Sequence, residues 1–201
     1  MPPETESNKN NNCSNNINIG GSNPVTVIAA AAVLTAEKAV EGIIEAVYYN
    51  YIIMTVTEGN MKKYLFVCTG NTCRSPMAEG ILNDIAKKEG LDICAKSAGI
   101  SVSPGNPPSQ NAMTACAELG VDISKHKSSQ LTNDLFYEAD AVVPLTETHR
   151  LIMLDAFKDT EKIMPALGVF DPYGGNLDDY RKCRDMILEK IREITHEDNR
   201  S

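Results

Sequence analysis

Between residues 62 and 194 the apolar positions alternate between short solid runs and longer amphipathic stretches. Tyr64 to Val67 is wholly apolar, the pattern of a strand buried on both faces. Pro76 to Glu89 reads as a helix, with Pro76 in its first turn and Gly90 as its stop. Ile93 to Ser97 is a second strand, and Gln110 to Leu119, closed by Gly120, a second helix. Ala141 to Leu145 is a third strand, Glu147 to Phe157 a third helix, and Ile163 to Leu167 a fourth strand. Leu177 to Ile194 is a long final helix. This alternation predicts an α/β, Rossmann-like three-layer fold: a four-stranded parallel sheet with helices on both faces. Ligands in such sheets bind beyond the C-terminal ends of the strands.

The first 60 residues follow other rules. Residues 1–23 are crowded with asparagine and have little to bury, so a disordered tail is expected. Residues 24–60 form an N-terminal extension of unknown role. Val25 to Val33 is apolar and rich in alanine. A helix capped by Thr35 would set Glu37, Glu41 and Glu45 opposite Val40, Ile43, Ile44 and Val47, and Tyr48 to Thr57 reads as a strand. The longest apolar run, Val25 to Ala36, falls short of the roughly 20 residues that cross a bilayer, so no membrane partner is expected. Residues 61–201 then read as one catalytic-sized domain.

Composition narrows the chemistry. The net charge is −8 and the isoelectric point about 4.9, so nucleic acid is not an expected partner. An anionic ligand needs a local positive site. Glu4 and Glu6 precede the first base, Lys9, which is wrong for a secretory signal, so a cytoplasmic location is expected. The six cysteines are then core residues or reactive thiols rather than a disulfide framework. No pair of C-x2-C units marks a zinc site.

One segment supplies the positive site. Cys68-Thr69-Gly70-Asn71-Thr72-Cys73-Arg74-Ser75 leaves the first strand and enters the first helix, and contains C-x5-R-S. Chance placement gives roughly 0.02 such matches in a chain of this length and composition. A loop closing onto a helix N-terminus points backbone N–H groups inward and adds the helix dipole, which makes an anion cradle. Gly70 and Asn71 suit the left-handed backbone that tight curvature needs. Arg74 closes the cradle with a planar two-pronged contact. Cys68 lies at its floor, where amides, dipole and Arg74 favour the thiolate and Ser75 can donate to the sulfur. A nucleophile under a bound phosphoryl group is set for in-line attack. Backbone amides and Arg74 carry the phosphate charge, so no metal or organic cofactor is implied.

The stretch Phe66 to Glu79, with Ser97-Ala98-Gly99, Asp122-Ile123-Ser124-Lys125-His126, Gln130-Leu131-Thr132 and Asp171-Pro172-Tyr173-Gly174-Gly175, resembles the low-molecular-weight protein-tyrosine-phosphatase family. The likeness runs from about Lys62 to Ile194. It implies a phosphatase acting on phosphorylated protein substrates, with Cys68 as nucleophile, Arg74 as phosphate clamp and Asp171 as general acid. Asn71, Ser97 and His126 match positions that brace the loop. Cys73 matches a neighbouring cysteine that can trap an oxidised nucleophile as a reversible disulfide. Tyr173 stands where a tyrosine flanks the pocket mouth.

Within the family the likeness leans to the bacterial protein-arginine-phosphatase branch, which carries threonine at the position of Thr72. A hydroxyl there suits a polar guanidinium phosphate better than an apolar ring. Ile100-Ser101-Val102-Ser103 lacks an aromatic pocket wall, and the chain has no Trp. The acid loop also has the arginine-phosphatase form. One departure is the short segment Gly168-Val169-Phe170 between the fourth strand and Asp171. Phosphotyrosine is the alternative substrate. A thioredoxin-coupled arsenate reductase shares the loop but needs two further cysteines near the third strand, and residues 138–160 contain none. A non-catalytic phosphoprotein-binding module is expected to lack the nucleophile or the acid, and both are present. The sequence leaves oligomeric state open.

Overall fold

The first strand of the sheet, β1 (Lys62–Cys68), places alternate side chains in two different cores. Tyr64, Phe66 and Cys68 join one cluster, while Leu65 and Val67 join the other. A strand buried on both faces must be covered on both faces, which fixes a three-layer arrangement. The computed structural model describes residues 61–198; the Asn-rich tail and the expectations for residues 24–60 lie outside them.

The described elements alternate as the sequence predicts: α1 (Arg74–Glu89), β2 (Ile93–Gly99), α2 (Gln110–Ala117), α3 (Asn133–Glu138), β3 (Ala141–Pro144), α4 (Glu147–Ala156) and α5 (Leu177–Asp198). β1 pairs in parallel with β2 and with β3, in the order β2-β1-β3. The chain therefore reverses its direction of travel across the sheet between β1 and β3, and the C-terminal ends of these strands frame a crevice. Met77, Ile81, Ile187 and Ile191, from α1 and α5, cover one face. Phe136 and Met153, from α3 and α4, cover the other, with Phe136 stacked on Phe157 at 3.8 Å between ring centroids.

The sheet has three strands among the described residues, not the four predicted. Residues 163–167 do run beside β3, with one parallel bridge between Val142 and Ile163. Met164 N donates to Val142 O and Leu167 N to Pro144 O. Pro144 has no N–H to donate to the segment, and its carbonyl is reached by Leu167 rather than Ala166, so the ladder is interrupted and the segment stays an extended edge. The α3 helix was not predicted; its six residues are too few for a periodic signal, although Thr132 caps it by accepting from Leu135 N at 3.2 Å.

Helix α1 ends where Gly90 adopts φ 67° and its N–H returns to Ala86 O, a left-handed stop. No helix among the described residues is long and apolar enough to cross a membrane.

Candidate active site

The loop between β1 and α1 wraps around the C-terminal end of β1. Its carbonyls are held from outside: Cys68 O accepts from Ile100 N, Thr69 O from Ser101 N, and Thr72 O from Ser109 N, at 2.8–3.0 Å. Turning the carbonyls outward leaves the amides facing the opposite way, toward the start of α1 and its positive dipole end. Gly99 makes this approach feasible. A Cβ there would sit 2.5 Å from Thr69 O and 3.0 Å from Asn71 N, so only glycine lets β2 support the loop this closely.

Asn71 is the one non-glycine residue with positive φ among the described residues, at 53°. It is fully buried, and its amide is fully used. Nδ2 donates to Ser75 Oγ and to Ser97 Oγ, each at 2.9 Å. Oδ1 accepts from Ser129 N at 2.8 Å and lies 3.2 Å from His126 Nε2. The same Nε2 lies 3.2 Å from Asn71 O; both partners are acceptors, so Nε2 carries a proton. Ser97 passes the chain on by donating to Glu79 Oε2, which lies 3.3 Å from His126 Nδ1. Helix α1, strand β2 and the connection between α2 and α3 thus hold one strained residue.

This network orients Ser75. Its hydroxyl accepts from Asn71, so its single proton is left for another partner. Cys68 Sγ lies 2.9 Å away and Ala98 O 3.4 Å away, and the sulfur is the better placed acceptor. Ser75 therefore donates to Cys68, the interaction a thiolate needs. Both Cys68 and Cys73 are free thiols. Cys73 Sγ turns instead to Tyr180 OH at 3.3 Å and Ser109 Oγ at 3.6 Å. Burial, followed by the Cys73 contact, pushes the Tyr180 hydroxyl up to about 12, so it stays protonated.

Arg74 is buried at the start of α1, and its Nη2 pairs with Asp171 Oδ2 at 2.6 Å. Its Nε is buried with no acceptor, an orphaned donor beside an anion cradle. Asp171 is half exposed, and its Oδ1 accepts from Tyr173 N at 3.1 Å, an Asx turn that fixes the carboxylate. The short Gly168-Val169-Phe170 segment still delivers it, because Val169 N donates to Leu145 O and anchors the loop beside β3. Tyr173 projects at the rim, 80% exposed. Thr72 is partly buried, its hydroxyl 3.8 Å from Cys73 Sγ.

Glu79 and His149 are among the residues of this constellation that were not singled out from the sequence. Glu79 follows Asn71 and Ser75 at a spacing of four, which puts Ser75 and Glu79 on one helix face; that spacing was a usable signal. His149 lies at the start of α4, buried, between Thr69 Oγ1 at 2.9 Å and Thr146 Oγ1 at 2.7 Å. Its only sequence signal is the capping spacing Thr146-x-x-His149.

Residues 63–200 match the family described as low molecular weight phosphotyrosine protein phosphatase. The chain belongs to this family. A protein-arginine-phosphatase of Bacillus subtilis is 39% identical over 139 residues, covering 65% of this chain and 92% of that protein. An arsenate reductase of Staphylococcus saprophyticus is 34% identical over 138 residues, covering 66% of this chain and 95% of that one. A solved low molecular weight protein tyrosine phosphatase from T. tengcongensis superposes with TM-score 0.66 at 36% identity, covering 68% of this chain and 99% of its own. This chain is a hydrolase of the low molecular weight protein phosphatase class.

Proposed function

We propose that the protein hydrolyses phosphorylated protein side chains through a cysteinyl-phosphate intermediate, with phosphoarginine as its favoured substrate. The observation that carries the reading is the convergence of three groups on one loop. Cys68 Sγ is hydrogen-bonded to Ser75 at the floor, and Arg74 and Asp171 are paired at 2.6 Å beside it.

On this reading the phosphoryl group binds the loop amides and Arg74, including the orphaned Nε. Asp171 gives up Arg74 to the incoming anion and turns, protonated, to the leaving atom. Cys68 attacks phosphorus, the bond to the side chain breaks, and Asp171 supplies the proton to the departing nitrogen or oxygen. Asp171, now ionised, takes a proton from water, whose oxygen attacks phosphorus. The S–P bond breaks, inorganic phosphate leaves, and the Cys68 thiolate is restored.

Phosphoarginine is supported by Thr72, by the absence of an aromatic in Ile100-Ser101-Val102-Ser103, and by the Bacillus subtilis relative. Arsenate reduction is disfavoured by the thiols. Beyond residue 116 the next cysteine is Cys183, buried on α5, where burial pushes its thiol up to about 12.

The test is phosphate release from phosphoarginine and phosphotyrosine peptides side by side, under reducing conditions. Cys68→Ser is expected to abolish release, and Asp171→Ala to slow it by ~10²-fold or more, most for poor leaving groups. Thr72→Ile should lower the phosphoarginine-to-phosphotyrosine ratio of kcat/KM by about tenfold. Preference for phosphotyrosine in the wild type would remove the argument from Thr72 and leave the cysteinyl-phosphate step intact.

A further inference from the structure

His149 belongs to no part of the mechanism above, yet it touches the residue next to the nucleophile. It is 3% exposed and sits between two hydroxyls, each within hydrogen-bond distance of one ring nitrogen. Thr146 Oγ1, the cap of α4, accepts from His149 N at 3.4 Å, so its own proton is free to reach Nδ1 at 2.7 Å. In the tautomer with Nδ1 accepting this proton, Nε2 carries the ring proton and donates it to Thr69 Oγ1 at 2.9 Å. Thr69 accepts there, which leaves its own O–H uncommitted. Thr69 is exposed, and Ser101 N pins its carbonyl from the other side. A neutral imidazole makes this one-in, one-out chain. Burial, and then the charge of Arg74, hold His149 down to about 4 against an opposing pull from Asp171.

We propose that His149 is a positioning residue. It clasps Thr69 to the cap of α4 and turns the Thr69 hydroxyl proton toward an oxyanion held in the phosphate loop. The catalytic consequence rests on the reading of Cys68 as nucleophile; the anion-binding consequence does not. The β3–α4 connection lies beside the loop because Leu145 N donates to Val67 O at 3.0 Å. The clasp therefore ties the two strands of the switch point together at their ligand-binding ends.

The amide of Gln occupies the place of a histidine Nε2, and that of Asn the place of Nδ1. His149→Gln is expected to keep a donor to Thr69, and His149→Asn to lose it. Inorganic phosphate binding by the full chain, measured by calorimetry, should weaken about tenfold in His149→Asn and stay within about twofold of wild type in His149→Gln. Thr69→Val, a change at an exposed position, should match His149→Asn, Thr69→Ser should match wild type, and the double variant should be no worse than either single one. The kcat/KM for a phosphorylated peptide should follow the same order. Equal loss in the Asn and Gln variants, additive losses in the double variant, or a change in Tm with unaltered phosphate affinity would each overturn the clasp. Absence of Cys68-dependent turnover with the phosphate series intact would overturn the proposed reaction and leave the clasp standing.

Discussion

Asn71 shows what a single residue can be asked to do. A left-handed backbone costs a non-glycine residue of order 1 kcal/mol or more, and here four side-chain hydrogen-bond partners offset it. Asn71→Ala removes those bonds and keeps the strain. It is expected to destabilise by roughly 2–4 kcal/mol in urea unfolding, and to lower kcat by at least tenfold because Ser75 loses its orientation. Gly99→Ala acts on the same loop from β2. Its Cβ would meet Thr69 O and Asn71 N, both backbone atoms that cannot swing aside. A loop displaced by even ~1 Å is expected to lose on the order of 10² in kcat/KM with the Cys68 thiol still present by titration. Both positions were legible beforehand, since Asn71 falls inside C-x5-R-S and Gly99 closes Ser97-Ala98-Gly99. His149 was not, because a lone histidine near a helix start reads the same whether it faces solvent or a neighbouring loop.

At the scale of elements, the loop that carries Asp171, the proposed acid, owes its aim to the start of α5. Asn176 and Asp179 form a reciprocal capping box: Asn176 N donates to Asp179 Oδ2 and Asp179 N to Asn176 Oδ1, each at 3.1 Å. Asn111 on α2 adds a bond from Nδ2 to Gly175 O at 3.3 Å. Asp178 and Asp179 also place negative charge in the first turn, where the helix dipole favours it. Asn176→Ala is expected to cost about 1 kcal/mol of stability and to lower kcat more than it raises KM, because Asp171 loses its fixed approach. A variant with wild-type kcat would mean that the Asp171 Asx turn alone positions the acid. The long helices were legible from their 3.6-residue period and glycine stops, whereas α3 is shorter than the window in which a period can be seen. The fourth strand was over-read. Ile163-Met164-Pro165-Ala166-Leu167 has the apolar character of a strand, but Pro144 of β3 has no N–H to carry the ladder past Val142.

For the whole molecule, the acid side of the stability curve should carry the mark of His149. The unfolded imidazole binds a proton near 6.5, while the folded one does so only near 4. Between those values the unfolded state holds more protons, so the stability this group contributes is complete above about 6.5. It is lost as pH falls toward about 4, by up to roughly 3 kcal/mol. Carboxylates also titrate in the lower part of that window, so the wild type alone does not isolate the effect. His149→Gln removes the titrating group and leaves the carboxylates. The expected result is that the urea midpoint of the wild type falls relative to that of the variant as pH is lowered from 7.5 to 4.5. Parallel midpoints across that range would place the proton elsewhere. A relative fall of the wild type would mean that the imidazole beside Arg74 and Asp171 is held neutral by the fold itself, so acid that protonates it must loosen the phosphate loop and the domain together.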